Sequence, residues 1–205
     1  MKIIIFGATG GVGREVVKQA AENGFGVTAF VRTPSKLDVA HENLTVIQGD
    51  AFNPSEVQAA IGGHDAVVSC LGSSKGMKKS TELQDMTKNI VAGMEAQGLK
   101  RIVYTASAGI HKELTGVSGK LMMTMLKNAL ADHGAAVEEI RSHGLVYTIV
   151  RPMGLTNGAF TGNYREATEG VPEKSMSIPR ADVAHFIVKA LTDERYENSS
   201  IGLAT

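Results

Sequence analysis

Apolar runs alternate along the chain with stretches in which apolar residues recur at helical spacing. Ile3-Ile4-Ile5-Phe6 is unbroken, the pattern of a strand covered on both faces. After a glycine-rich turn, Val16, Val17 and Ala20 keep helical spacing over 14–22, and Gly24 stops the helix. Strands are predicted at 27–31 and 44–47. Asn53-Pro54 then starts a short helix over 55–61, which Gly62-Gly63 ends. The pattern continues with a buried strand over 66–71, a long helix over 80–97 and a strand over 101–105. An irregular stretch at 109–119 precedes a helix over 121–142, with Met122, Met123 and Met125 read as core filling, and a strand over 146–150. Segment 152–179, with four glycines and three prolines, reads as loop with short strands. A helix over 181–191 and a strand over 200–203 complete the pattern.

Strands joined by helices of this length imply a parallel sheet with right-handed crossovers. The expectation is α/β: one Rossmann-like doubly wound parallel sheet with helices on both faces. A single domain spans 1–205, with substrate-side loops at 109–119 and 152–179. A hydrophobic content of 43% over 205 residues is enough for one large core and excludes disorder as the main state. Lys plus Arg and Asp plus Glu both total 21, so no general attraction to nucleic acid or anionic membrane is expected. One cysteine, Cys70, excludes an intramolecular disulfide and a four-cysteine zinc site; it reads as a small buried strand residue, and no metal is expected. Met1-Lys2 leads straight into an apolar run with no basic leader, and no apolar run reaches membrane-spanning length, so a cytoplasmic home is expected.

Gly7-Ala8-Thr9-Gly10-Gly11-Val12-Gly13 lies between the first strand and the first helix. Glycines there allow a tight turn and let the backbone approach a pyrophosphate, which the helix N-terminus stabilises. After the second strand stands Arg32-Thr33-Pro34-Ser35-Lys36, two cations and no acid. A carboxylate there would bind the ribose of NAD, whereas a cation accommodates the 2′-phosphate, so NADP(H) is favoured. Asp50, after the third strand, suits the adenine amino group with Phe52 near the ring; it could equally cap the next helix. Gly72-Ser73-Ser74, after the fourth strand, would pass beside the adenosine ribose and pyrophosphate. Lys75, Lys78 and Lys79 read as a solvated loop face.

With these residues the chain resembles the atypical short-chain dehydrogenase/reductases, NmrA-like branch, and within it the flavin reductase/biliverdin reductase B group. The resemblance runs nearly end to end. It rests on the glycine loop, on Val31-Arg32-Thr33-Pro34-Ser35-Lys36-Leu37, Gly49-Asp50, Asp65-Ala66-Val67-Val68, Lys88-Asn89-Ile90-Val91 and Thr105-Ala106-Ser107-Ala108. Thr161-Gly162-Asn163-Tyr164 and Asp182-Val183-Ala184-His185-Phe186 point more narrowly. The resemblance implies that Gly7, Thr9, Gly10 and Val12 contact the pyrophosphate, with Gly11 and Gly13 completing the loop. It puts Arg32, Ser35 and Lys36 on the 2′-phosphate, Asp50 and Ala51 on the adenine, and Gly72, Ser73 and Ser74 along the ribose. Thr105, Pro152 and Met153 fall beside the nicotinamide, Ser107 matches the active-site serine, and His133 would reach the nicotinamide ribose. Two departures stand out. None of Tyr104, Tyr147, Tyr164 and Tyr196 has a lysine four residues later, so the Tyr–Lys pair of the tyrosine-dependent branch is missing. Met153 replaces the histidine of the mammalian-type flavin reductases, which puts biliverdin selectivity in question.

Without a tyrosine acid, unactivated ketones are poor substrates, because their developing alkoxide wants a donor. Flavins and quinones need none, so the expected partner is a small planar acceptor: a flavin, quinone or tetrapyrrole. Ser107 would hydrogen-bond its carbonyl, and His111 could line the substrate mouth without a catalytic role. The alternative is a non-catalytic NADP sensor acting through a protein partner. A monomer or weak homo-oligomer is expected.

Overall fold

The computed structural model describes residues 1–174 and 176–205, and the side chains of all these except Ser118. Ser175, inside the predicted 152–179 loop, lies outside the described residues. Eight strands form one sheet in the order β3 (Leu44–Gln48), β2 (Gly26–Val31), β1 (Lys2–Phe6), β4 (Ala66–Ser69), β5 (Arg101–Thr105), β6 (Val146–Pro152), β10 (Ser199–Ala204) and β8 (Arg165–Ala167). All neighbours are parallel except β8, which runs antiparallel to β10. The chain builds outward from β1 in one direction and then in the other. Its strand order therefore reverses between β1 and β4, which pair directly.

The run Ile3 to Phe6 shows why the sheet is covered on both faces. Ile3 and Ile5 enter the core beneath α1 (Gly11–Glu22) and α6 (Arg180–Thr192), whereas Ile4 and Phe6 enter the other. That second core is roofed by α2 (Pro54–Ile61), α3 (Glu82–Ala96) and α5 (Lys127–Ser142). All four side chains are fully buried, as alternation across a two-sided strand requires.

Three departures from the sequence pattern stand out. Helix α1 starts at Gly11, not at 14, because the last glycines of the loop form its first turn; helix propensity hides this. Strand β4 stops at Ser69, where Cys70 and Leu71 leave the ladder to pass Gly7. The helix expected over 121–142 is two helices, α4 (Gly116–Met125) and α5, bent at Leu126. Apolar spacing runs on through the bend, but only α5 packs on the sheet. Met122 and Met125 are therefore exposed surface of α4 and not core filling. The 152–179 segment carries short strands as expected, and there β7 (Gly154–Thr156) pairs with β9 (Ser177–Pro179).

Two segments singled out in the sequence meet each other here. The Asp182 carboxylate, fully buried in the first turn of α6, accepts hydrogen bonds from the Thr161 hydroxyl and the Thr161 and Gly162 amides at 2.7–2.9 Å. Three residues on, His185 Nδ1 lies 2.8 Å from the Tyr164 hydroxyl. The start of α6 thus anchors the loop that follows β6.

Candidate cofactor and acceptor site

A groove of about 290 Å³ opens outside the carboxyl ends of β1 to β4. It gathers Gly7, Thr9 and Gly10 from the glycine loop, Arg32 after β2, Asp50 and Ala51 after β3, and Gly72, Ser73 and Ser74 after β4. Parallel strands all end on this side, and the reversal between β1 and β4 leaves a crevice that no connection fills.

The glycines show what the groove is shaped to admit. Gly10 has φ −74° and ψ 164°, open to any residue, and a Cβ there would approach only the Gly7 oxygen, at 3.2 Å, with the Cys70 oxygen next at 3.9 Å. At Gly72 no atom stands within 4 Å of an added Cβ. Backbone conformation does not demand glycine at either place, yet both border the groove. Their bareness leaves room for a ligand against the backbone. Helix α1 starts beside them with neither a side-chain cap nor an acid in its first turn, so its first amides stay available to an anion. A pyrophosphate fits this cradle.

Arg32 lines the groove, and Ser35 and Lys36 stand on the exposed turn Pro34–Lys36 just beyond it. Asp38, the nearest acid along the chain, is 3.4 Å from Arg14, which also donates to the Lys36 carbonyl. At the adenine end, Asn53 caps α2 by accepting from Ser55 and Glu56, which leaves Asp50 out of that task. Asp50 accepts from Phe52 N–H through one oxygen, and among the described residues its other oxygen is not engaged by a hydrogen bond. The Ser73 and Ser74 hydroxyls both donate to Glu82, at 3.1 and 2.8 Å. Hydrogen bonds from Ser74 hold the Glu82 carboxyl below its ordinary range. Glu82 was not visible in the sequence, because no motif links a loop serine to an acid at the start of the next helix.

The remaining predicted residues lie outside this groove. Thr105 is buried with its hydroxyl 3.6 Å from the Cys70 thiol; burial pushes that thiol up to about 12, so it is an unreactive strand-end residue. Past β5, Ala106 N–H donates to Val150 and Ala108 N–H to Pro152, so Ser107 sits directly beside Pro152 and Met153. The Ser107 hydroxyl donates to the Ala108 carbonyl. His133 on α5 stands 3.1 Å from the Tyr104 hydroxyl, and burial pushes its imidazole down to about 4, leaving it neutral at pH 7. His111 faces elsewhere. It contacts Ser200 on β10 at 3.1 Å and lines a separate cavity of about 160 Å³ with Arg141 and Tyr147, sharing no residue with the groove.

A crevice at the strand-order reversal, floored by such a loop, is where proteins of the doubly wound α/β class hold a dinucleotide. The comparisons agree, and the chain belongs to the NAD(P)H-binding family, whose model matches residues 7–194. It is 28% identical over 211 residues to an uncharacterized sugar epimerase of Bacillus subtilis, covering 99% of this chain and 94% of that one. An isoflavone reductase homologue of Zea mays is 30% identical over 217 residues, covering 96% of this chain and 66% of the relative. Among solved structures, an anaerobillin reductase from Escherichia coli O157:H7 superposes with a TM-score of 0.80 at 23% identity, covering 100% and 97% of the two chains. The chain is an NAD(P)H-dependent oxidoreductase of the atypical short-chain dehydrogenase/reductase type. Among the described residues, no helix is long and apolar enough to cross a membrane.

Proposed function

We propose that this protein transfers hydride from NADPH to a planar conjugated acceptor: a flavin such as FMN or riboflavin, a quinone, or a tetrapyrrole. The observation that carries this reading is the placement of the tyrosines. Tyr104 is fully buried against His133, and burial with the nearby Asp132 pushes its hydroxyl far up. Tyr164 is held by His185, Tyr196 donates to Glu166, and Tyr147 lines the separate cavity. Each is thus engaged elsewhere, and the hydrogen bond of the Ser107 hydroxyl goes to the Ala108 carbonyl. Bound NADPH would supply the hydride, and the protein's part is to hold it and exclude water. A flavin or quinone can take its proton from solvent, so the missing acid costs such acceptors little.

The surroundings of Ser107 favour the same class. Of the eleven exposed large apolar side chains among the described residues, eight are Met77, Val117, Leu121, Met122, Met125, Leu155, Phe160 and Met176. All eight lie on segments that leave the carboxyl ends of β4, β5 and β6. Because β4 and β6 flank β5 in the sheet, these segments leave it at and on either side of the strand end that carries Ser107. NADPH oxidation followed against FMN, riboflavin, biliverdin, a quinone and a simple ketone tests the proposal. Turnover with at least one conjugated acceptor and none with the ketone is expected; ketone reduction alone would overturn it.

A further inference from the structure

We infer, building on the NADPH reading of the groove, that Arg180 is a further cofactor-binding residue. Its guanidinium closes over the pyrophosphate and links it to the acceptor-side loop. Arg180 opens α6, and its side chain crosses to the first turn of α1. A Cβ built on Gly11 would stand 2.6 Å from Arg180 Cδ and 2.7 Å from its Nε. The missing side chain of Gly11 therefore makes room for arginine, not for the cofactor. An alanine would have to displace that stem.

The charges around this contact are unbalanced. A helix N-terminus carries partial positive charge, and a cation placed on it is repelled unless an anion lies between them. The first turn of α1 holds no acid, and Arg180 forms no ion pair among the described residues. Among the described residues its one hydrogen bond goes to a neutral group, the Asn157 side-chain oxygen, at 2.7 Å. A pyrophosphate against the glycine loop supplies the absent anion, and arginine's planar fork suits phosphate oxygens.

Asn157 gives the contact a second role. It belongs to the loop between β7 and β8 that carries Phe160, and Asp182 anchors the same loop two residues beyond Arg180. One turn of α6 thus holds the cofactor's phosphates with Arg180 and the acceptor wall with Asp182. Occupancy of the phosphate site steadies that wall through Arg180 and Asn157.

The test is a titration of wild type, Arg180→Met and Arg180→Lys with NADPH, NADH and adenosine 2′-monophosphate. Methionine keeps an apolar stem over Gly11 and removes the charge together with the donor to Asn157. Affinity for NADPH and for NADH should fall together by about tenfold in Arg180→Met. Adenosine 2′-monophosphate, which has no pyrophosphate, should bind as before, and lysine should restore much of the loss. Arg180→Gln, which keeps a donor for Asn157, gives the same comparison if the methionine variant loses structure. Unchanged NADPH affinity in folded Arg180→Met and Arg180→Gln, or an equal loss for all three ligands, would overturn the inference alone. A wild type that binds neither dinucleotide would overturn the cofactor reading and this inference with it.

Discussion

A Cβ at Gly13 would lie 2.2 Å from the Gly7 oxygen, and one at Gly7, where φ is +78°, would lie 2.4 Å from the Cys70 oxygen. Both glycines are required by backbone packing. Gly10 has an ordinary conformation, but a Cβ there would stand 3.2 Å from the Gly7 oxygen, a tight contact that the loop must yield slightly to admit. The position also borders the groove. Gly10→Val should therefore raise the NADPH dissociation constant more than tenfold and cost less stability than a side chain at Gly13, whose Cβ would meet backbone at 2.2 Å. Gly13→Ala should cost about 1–3 kcal/mol of stability through overpacking, read from urea unfolding. Arg32→Ala should weaken NADPH about tenfold and leave NADH unchanged, since only NADPH carries the 2′-phosphate. Nucleotide titration with both cofactors checks it. The loop was legible as a nucleotide motif from its place between strand and helix. The separate duties of its glycines were not, because they depend on Cys70 and Arg180 arriving from distant parts of the chain.

The two loops beyond β5 and β6 are tied together by a buried pair. Arg151 and Glu113 side chains are 2% and 7% exposed, and Arg151 also donates to the Gly170 carbonyl and to Ser200. Burial alone pushes the Glu113 carboxyl up, but backbone N–H groups of its own loop and Arg151 outweigh it and hold the group below its ordinary range. A depressed carboxyl stabilises the fold above its unfolded pKa of about 4.3, and that contribution fades as pH falls through the lower folded value. Arg151→Met should leave Glu113 buried and unpaired, at a cost of about 3–5 kcal/mol at pH 7. The gap from wild type should narrow on acidification, as thermal melts at pH 7 and pH 3 will show. Arg151 was conspicuous in sequence only as the neighbour of Pro152 and Met153, and Glu113 not at all. Period and turn signals report contacts within an element, and this pair joins residues 38 apart. The bend at Leu126 escaped for a related reason: apolar spacing does not reveal that α4 turns its stripe outward.

Over the whole molecule, alternation of strand and helix was enough to give the sheet, its parallel pairing and its ligand-binding edge. The acceptor end was less legible. Ser107, Pro152 and Met153 become neighbours only through the β5–β6 ladder, and His111 leaves them for β10. Removing the Ser107 hydroxyl should lower flavin reduction about tenfold without changing NADPH affinity, because it deletes a positioning hydrogen bond and not a proton donor. The central claim is hydride transfer itself, and a single-turnover experiment reaches it most directly. The preformed complex with NADPH, deuterated or not at C4, is mixed anaerobically with FMN, a quinone or a tetrapyrrole in a stopped-flow instrument. Loss of nicotinamide absorbance in step with acceptor reduction, slowed by deuterium, is the predicted result. Tight NADPH binding with no oxidation by any of these acceptors would contradict the account.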